Sequence, residues 1–311
     1  MTGITLKGKG DLQSYSLSLI CLAISFVLII FGDIVKQGVL DGLSFSVKTI
    51  IPTLFPFFIL SDIWADVFVI SQNGIVSKCF QKAFHLNKVS ITAFILGLIC
   101  GFPVGVKTAA QLYKDKRITK EELSHICGFA NNPSAAFVIS GVGAAILGNI
   151  FTGIRLYIAV IISAIIVGII FRQKDMSLVD SDVISRQSFS LVESIKNAAL
   201  SSLNVMAYIV FFSALTSLVS VITNNSFVTT IFSVFFEVGN AVNSISKIEN
   251  IDKPLCLSLI GFALGFSGLS VHLQAFSFLP REVSKKKYLF MKLIQAVICA
   301  LLILLTEVII Q

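Results

Sequence analysis

Charged side chains are scarce in this chain. Only 13% of its 311 residues are Asp, Glu, Lys or Arg, about half the share that is usual in soluble domains. Three long stretches, 126–154, 197–236 and 254–280, contain no charged residue. Because a membrane-spanning helix needs roughly 20 predominantly apolar residues, this deficit excludes an ordinary soluble domain. It predicts an all-α polytopic membrane protein with a single integral membrane domain over 1–311.

Histidine and paired cysteine are also scarce, which argues against a metal centre. There are three histidines and six cysteines, and no two cysteines have the spacing of metal ligands. Isolated cysteines in apolar segments act as small hydrophobic side chains. These six are Cys21, Cys79, Cys100, Cys127, Cys256 and Cys299. The chain also lacks a phosphate-binding P-loop pattern. We therefore expect no metal, no cofactor and no ATP hydrolysis by this chain.

Basic residues give the chain a net charge of +7, but their distribution argues against nucleic-acid binding. They lie in short loops between apolar runs, as cationic anchors on the cytoplasmic face of a membrane do. The basic loops are 7–9, 78–88, 114–120, 172–186, 247–253 and 281–292. This pattern predicts a lipid bilayer as partner and a cytoplasmic N-terminus. The apolar run 17–31 is interpreted as an uncleaved first helix.

The loops also constrain the path of the chain. If all six face the cytoplasm, an even number of membrane crossings must separate each neighbouring pair. Segments 89–112 and 254–280 each stand alone between two basic loops, and each contains a glycine-rich kink. We therefore predict two re-entrant hairpins and about seven transmembrane helices. The alternative is that each kinked segment is a discontinuous spanning helix.

The two kinked segments resemble each other at an offset of 164 residues. Three residues of the first segment, Gly97, Gly101 and Phe102, then match Gly261, Gly265 and Phe266 of the second. Internal repeats are common in transporters. This predicts an internal two-fold repeat with halves 38–171 and 190–311.

The kinks place ionisable residues where lipid would otherwise be. Residues 101–107 read GFPVGVK and residues 265–272 read GFSGLSVH. Broken backbone at membrane depth must be buried in protein or line a cavity, and transporters hold polar solutes at such breaks. Lys107 could bind an anion there, helped by the helix that starts near Gly105. The alternative is a lysine that extends its ammonium to the membrane interface.

Other polar residues in apolar segments are candidates for recognition or proton coupling. His272 and Gln274 follow the second kink, and Glu237 interrupts the run 230–242. His272 or Glu237 could carry a coupled proton, whereas a histidine in this setting can also serve only to bond a neighbouring helix.

Residues 131–134, which read NNPS, interrupt another uncharged run. Pro133 removes an amide donor and disfavours helix at Asn132, so freed carbonyls and side-chain amides become available to a solute. A capped helix start is the alternative. The candidate substrate-binding residues are therefore Gly101, Pro103, Gly105, Lys107, Asn131, Asn132, Ser134, Gly265, Ser267, Gly268, Ser270, His272 and Gln274.

An enzymatic interpretation of residues 265–268 is weaker. GFSG matches the serine setting of intramembrane proteases, but Ser267 would need a histidine base within hydrogen-bond reach. His85 and His125 lie at loops, and His272 is five residues away, a poor angle on a helix. We therefore predict no catalytic residue.

The motifs at 101–107, 118–122, 129–133 and 265–274 resemble those of a known family. They are similar to the sporulation integral membrane proteins of YlbJ type (stage V sporulation protein V-like). That group carries the Gate or nucleoside recognition domain, and the resemblance covers most of the chain.

The resemblance implies a transporter of dipicolinic acid in sporulating bacteria. The expected location is the cytoplasmic membrane, in its mother-cell-derived form as the outer forespore membrane. Dipicolinate is a small aromatic dianion, which agrees with a cationic Lys107 and positive helix ends. A nucleoside-type carrier and a non-transporting scaffold for spore maturation are the alternatives. A homo-oligomer, or an assembly with other sporulation membrane proteins, stays open.

Overall fold

The computed structural model of the chain describes residues 9–67, 74–172 and 190–310. Every regular element in these three ranges is a helix, as predicted. The first residues of the chain and most of the basic loop 172–186 lie outside the described residues, so the predicted cytoplasmic N-terminus stays a prediction.

Fourteen α-helices and two π-helical segments are present in the described ranges. The helices are α1 Lys9–Ile30, α2 Gly32–Phe45, α3 Ile51–Val67, α4 Ile75–Phe84, α5 Ser90–Cys100, α6 Val104–Lys114, α7 Lys120–Ala130, α8 Ile150–Ile170, α9 Leu191–Thr223, α10 Ser226–Phe236, α11 Val238–Ile245, α12 Lys253–Phe266, α13 Gly268–Phe278 and α14 Lys285–Ile310. The π-helical segment Ser46–Ile50 joins α2 to α3, and Ala136–Ile146 follows α7.

Four segments are long and apolar enough to cross a membrane: Ile150–Ile170, Leu191–Thr223, Lys253–Phe278 and Lys285–Ile309. A fifth is obtained if Cys21–Ile30 and Gly32–Lys48, which meet at 92°, count as one span. The predicted number of about seven is not confirmed. The physical reason is that several apolar segments are divided into helices of 11 residues, about 16 Å long, or half the hydrocarbon thickness.

The hairpin predicted for 89–112 is present as a fold. Helices α5 and α6 pack against each other around residues 101–103. A Cβ atom on Gly97 of α5 would lie 3.1 Å from the Cα atom of Gly105 on α6, so the two helices touch through their backbones. The depth of this hairpin in the bilayer stays a prediction.

The second kinked segment follows the alternative interpretation. Helices α12 and α13 continue as one 26-residue span, interrupted only at Ser267. The hairpin predicted for 254–280 is therefore wrong in this structure. The second pair of short helices that pack against each other is α10 and α11, which meet at Glu237. The parity argument required 254–280 to fold back on itself, whereas α12 and α13 together form one candidate span.

The order of elements suggests a different register for the predicted repeat. The same order of elements occurs twice: a pair of short helices, an interrupted helix and a long helix. The short pairs are α5 with α6 and α10 with α11, and the long helices are α8 and α14. The interrupted helices are α7 with its π-helical continuation and α12 with α13. Helices α5 and α10 both have 11 residues and begin at Ser90 and Ser226, 136 positions apart rather than 164. The repeat itself stays a prediction.

Local sequence explains where α7 begins. The Thr119 hydroxyl accepts a hydrogen bond from the Glu122 amide (3.2 Å), and a Glu122 carboxylate oxygen accepts one from the Thr119 amide (2.9 Å). This reciprocal arrangement satisfies two amides at the helix start. The other Glu122 oxygen accepts from the Asn87 amide at 2.5 Å. The start of α7 is thereby tied to the loop that precedes α5.

Candidate functional site

Four interruptions of the helices meet in the interior. They are the α5–α6 turn at 101–103, the break at 131–134, Glu237, and Ser267. A Cβ atom on Gly101 would lie 2.7 Å from the Ser134 amide nitrogen, and one on Gly268 would lie 3.1 Å from the Glu237 amide nitrogen. Each turn between short helices therefore packs against the break of an interrupted helix.

Glycine is required at two of these contacts. Gly101 and Gly268 adopt φ angles of +82° and +79°, a region that side chains with a Cβ atom rarely occupy. The same two residues have another backbone within contact distance of the missing Cβ atom. The predicted importance of Gly101 and Gly268 therefore has a structural cause, which is close approach of two chain segments.

A small cavity lies where the interruptions meet. Its lining comprises Ile50, Leu54, Phe58, Cys100, Gly101, Phe102, Ser134, Phe137, Val205, Ile209, Glu237, Val238 and Gly239. Both short-helix turns and the first break contribute to it. The volume of about 30 Å³ is room for a few water-sized groups. Of the lining residues, Glu237 alone carries a carboxylate.

Glu237 is fixed by the helix that follows it. The side chain is buried, and its two carboxylate oxygens accept hydrogen bonds from the amides of Gly239 (3.0 Å) and Asn240 (2.6 Å). It is thus the N-cap of α11, where an anion is favoured by the exposed amides and the helix dipole. The Asn240 side chain in turn donates to the Ser213 hydroxyl of α9 at 2.9 Å.

A buried polar network lies between α14 and the break at 131–134, here called the first break. The Lys292 ammonium donates to the main-chain carbonyl of Asn131 (2.8 Å) and to the Gln295 side-chain oxygen (2.7 Å). The Gln295 side-chain nitrogen donates to the Asn132 side-chain oxygen at 2.7 Å. Lys292, Gln295, Asn131 and Asn132 all have 0% exposure. Helix α14 therefore satisfies the polar groups that the break leaves free.

Tyr288 connects this network to the second interrupted helix. Its hydroxyl accepts a hydrogen bond from the Asn131 side-chain nitrogen (2.7 Å) and lies 3.2 Å from Nδ1 of His272. The Asn131 amide, the Tyr288 hydroxyl and the His272 imidazole thus form one buried chain of polar contacts. In the described part of the chain, Nε2 of His272 and Oδ1 of Asn131 are buried without a hydrogen-bond partner.

Sequence reasoning missed the contribution of α14. Lys292 was grouped with the basic loop 281–292, but the structure places it inside the protein. Tyr288, Lys292 and Gln295 are spaced by four and three residues, so they share one face of the helix. Three polar side chains at that spacing in an apolar helix were the available signal.

The other predicted site residues lie around the cavity and the buried polar network. Lys107 lies on the exposed face of α6 and does not line the cavity. Gly265 packs against the backbone of Ala296 on α14. Pro103 is at the α5–α6 turn, and Ser270 and Gln274 are buried in α13. Their roles as solute ligands stay predictions.

Two predicted serines have local roles in the structure. The Ser134 hydroxyl accepts a hydrogen bond from the Phe137 amide (3.1 Å), and the Ser267 hydroxyl donates to the Leu264 carbonyl (3.1 Å). The first satisfies an amide at the start of the π-helical segment. The hydrogen bond to Leu264 does not direct the Ser267 hydroxyl toward a histidine base.

Replacing Tyr288 by phenylalanine is expected to lower the stability of the purified protein. The change leaves the Asn131 side-chain nitrogen and Nδ1 of His272 without their shared partner, and a buried unsatisfied polar group costs about 1–3 kcal/mol. The thermal unfolding temperature in detergent is the measurement. Tyr15→Phe is the control, because Tyr15 is 62% exposed. Equal unfolding temperatures for both variants would contradict a supporting role of the network.

Comparison with known proteins shows a distant similarity. The chain is similar to the sporulation integral membrane protein YlbJ of Bacillus subtilis (strain 168), with 23% identity over 314 residues, covering 85% of this chain and 75% of the relative. No protein-family model matches the chain, and no solved structure matches it. The relative's name agrees with the resemblance to proteins of YlbJ type, and the apolar helices agree with a membrane location. The Gate-domain assignment stays a prediction.

Proposed function

We propose that this protein is a membrane carrier for a small polar solute. The observation that supports this function is the cavity between both short-helix turns and the first break, with a buried carboxylate in its wall. Transporters place solute sites at interrupted helices, because the freed backbone groups supply hydrogen bonds within the membrane. A volume of about 30 Å³ is too small for such a solute, so the turns would have to separate to admit it.

The relative's name refers to sporulation, and we propose a role in sporulation for this carrier. We propose the cytoplasmic membrane of a sporulating bacterium as its location, in the form of the mother-cell-derived outer forespore membrane. Dipicolinate is then the first solute to test. The sequence predicts that Lys107 binds one carboxylate of dipicolinate. This requires that the solute enters the protein past the exposed face of α6.

Glu237 favours a second candidate class, the nucleosides. A carboxylate in a buried wall accepts hydrogen bonds from hydroxyl groups and repels a second carboxylate. Glu237 therefore repels a neutral solute with hydroxyl groups less than it repels a dianion. Dipicolinate would need Glu237 to be protonated or turned away from the solute.

Uptake into proteoliposomes decides between these candidates. Purified protein is reconstituted, and saturable uptake of dipicolinate, uridine and adenosine is measured in parallel. Uptake of dipicolinate that is lost in Lys107→Ala would support both the anion carrier and the first predicted contact. Normal uptake by this variant would remove Lys107 from the mechanism. Uptake of a nucleoside alone would support the carrier and reject dipicolinate.

Absence of uptake for all three solutes, with folded protein in the vesicles, would contradict the carrier proposal. The scaffold interpretation would then be preferred. It predicts that substitutions in the cavity have no effect, whereas those in the basic loop 114–120 do.

A further inference from the structure

The Lys292 amino group is buried and has no carboxylate partner among the described residues. Its side chain has 0% exposure, and its partners are the Asn131 carbonyl and the Gln295 amide oxygen. In the part of the chain that the structure describes, no carboxylate lies within 4.0 Å of it. Burying an isolated ammonium is costly, so the surrounding groups must supply negative potential.

The end of α7 supplies that potential. The helix ends at Ala130, and Asn131 is its C-cap. Carbonyl groups at a helix C-terminus carry the negative end of the helix dipole and attract cations. Asn131 leaves the helical conformation (φ −92°, ψ 86°), and its carbonyl oxygen accepts the hydrogen bond from Lys292.

Two oxygens at this break are of the kind that bind a monovalent cation. Main-chain carbonyls freed by an unwound helix, together with half-helix C-termini, are the groups that hold a coupling cation in secondary transporters. Amide and carbonyl oxygens are hard ligands that suit such ions. Here a carbonyl and a side-chain amide oxygen both contact Nζ of Lys292, at 2.8 and 2.7 Å.

We propose that Lys292 is a covalently attached substitute for a bound monovalent cation at the break that follows α7. Its ammonium occupies the site permanently, so the protein has no requirement for Na⁺ or K⁺ there. Shortening the side chain to a methyl group opens a site for a small external cation. This inference concerns the fold and does not depend on the solute that is carried.

Chemical rescue of Lys292→Ala tests the proposal. Propylammonium contains the atoms that this substitution removes. Unfolding temperatures are measured in choline, sodium and propylammonium chloride at equal ionic strength. Wild type should unfold at the same temperature in all three. Lys292→Ala should unfold at a lower temperature in choline and recover by about 3 °C or more in propylammonium, as expected for a ligand that binds only the folded state.

Lys292→Met is the matched control, because it keeps most of the side-chain volume and lacks the charge. It should unfold below wild type in every salt and show no recovery. Three results would overturn the proposal. They are stabilisation of wild type by sodium over choline, equal instability of Lys292→Ala in all salts, and wild-type stability of Lys292→Met.

A variant that does not survive purification still gives an answer. Lys292→Ala is then purified in propylammonium throughout and exchanged into choline. Loss of soluble protein on exchange would support the proposal, and failure to recover folded protein in either salt would contradict it. Because the readout is stability, failure of this inference is distinguishable from failure of the carrier proposal, which is measured by uptake.

Discussion

Glu237→Gln is expected to reduce solute uptake by about tenfold to a hundredfold while the protein stays folded. The glutamine keeps a side-chain oxygen that can accept a hydrogen bond from an amide at the start of α11. It removes the one carboxylate in the cavity wall. Hydrogen bonds to a charged group contribute about 1.5–3 kcal/mol, which sets the expected range. Uptake per inserted molecule in proteoliposomes is the measurement.

A second substitution separates the capping role from the solute role. Glu237→Ala loses both, so uptake should fall at least as far and stability should also fall, by about 1 kcal/mol for the lost cap. Glu307→Gln is the matched control, because Glu307 is a buried carboxylate that pairs with Arg155 and does not line the cavity. Wild-type uptake by Glu237→Gln would exclude a role for the carboxylate in transport.

Gly97→Ala and Gly105→Ala are each expected to destabilise the protein strongly. A Cβ atom on either residue would overlap the main-chain oxygen of Ala130, which cannot move aside as a flexible side chain can. Overpacking of a close contact costs about 1–3 kcal/mol. Without the contact, alanine would stabilise a helix by about 1 kcal/mol relative to glycine. The sign of the effect therefore reports on the contact between α5, α6 and α7.

Unfolding temperature and the yield of folded protein from membranes measure this effect. Gly32→Ala provides the control, because no atom lies within 4 Å of its missing Cβ atom. If Gly97→Ala or Gly105→Ala is as stable as Gly32→Ala, the α5–α6 hairpin does not pack on the end of α7 as described.

Composition and the glycine kinks predicted part of this fold. The scarcity of charge predicted an all-helical membrane protein, and the kink at 101–103 predicted the fold-back of α5 and α6. The break at 131–134 was also visible, because Pro133 cannot continue a regular helix. These features depend on local sequence, which needs no knowledge of neighbouring helices.

Tertiary contacts account for what was missed. Ser267 interrupts a helix that continues in the same span, and its sequence alone does not distinguish this from a turn. The chain turns at Glu237, whose carboxylate caps α11. The sequence alone shows only a polar residue in an apolar run. Lys292 was assigned to a basic loop because the main-chain carbonyl that binds it belongs to Asn131, 161 residues away in the sequence.

The network around Tyr288 and Lys292 has a consequence for motion. It joins α14 to the break after α7 and to α13 through hydrogen bonds that are buried from solvent. In contrast, the turn at Gly101 contacts the break at 131–134, and the turn at Glu237 contacts the break at Ser267, mainly through close backbone approach. We expect these three helices to act as a fixed frame and the two turns to act as the moving gates. Cys100, buried in the cavity wall, would then become reactive to a thiol reagent only while a gate is open.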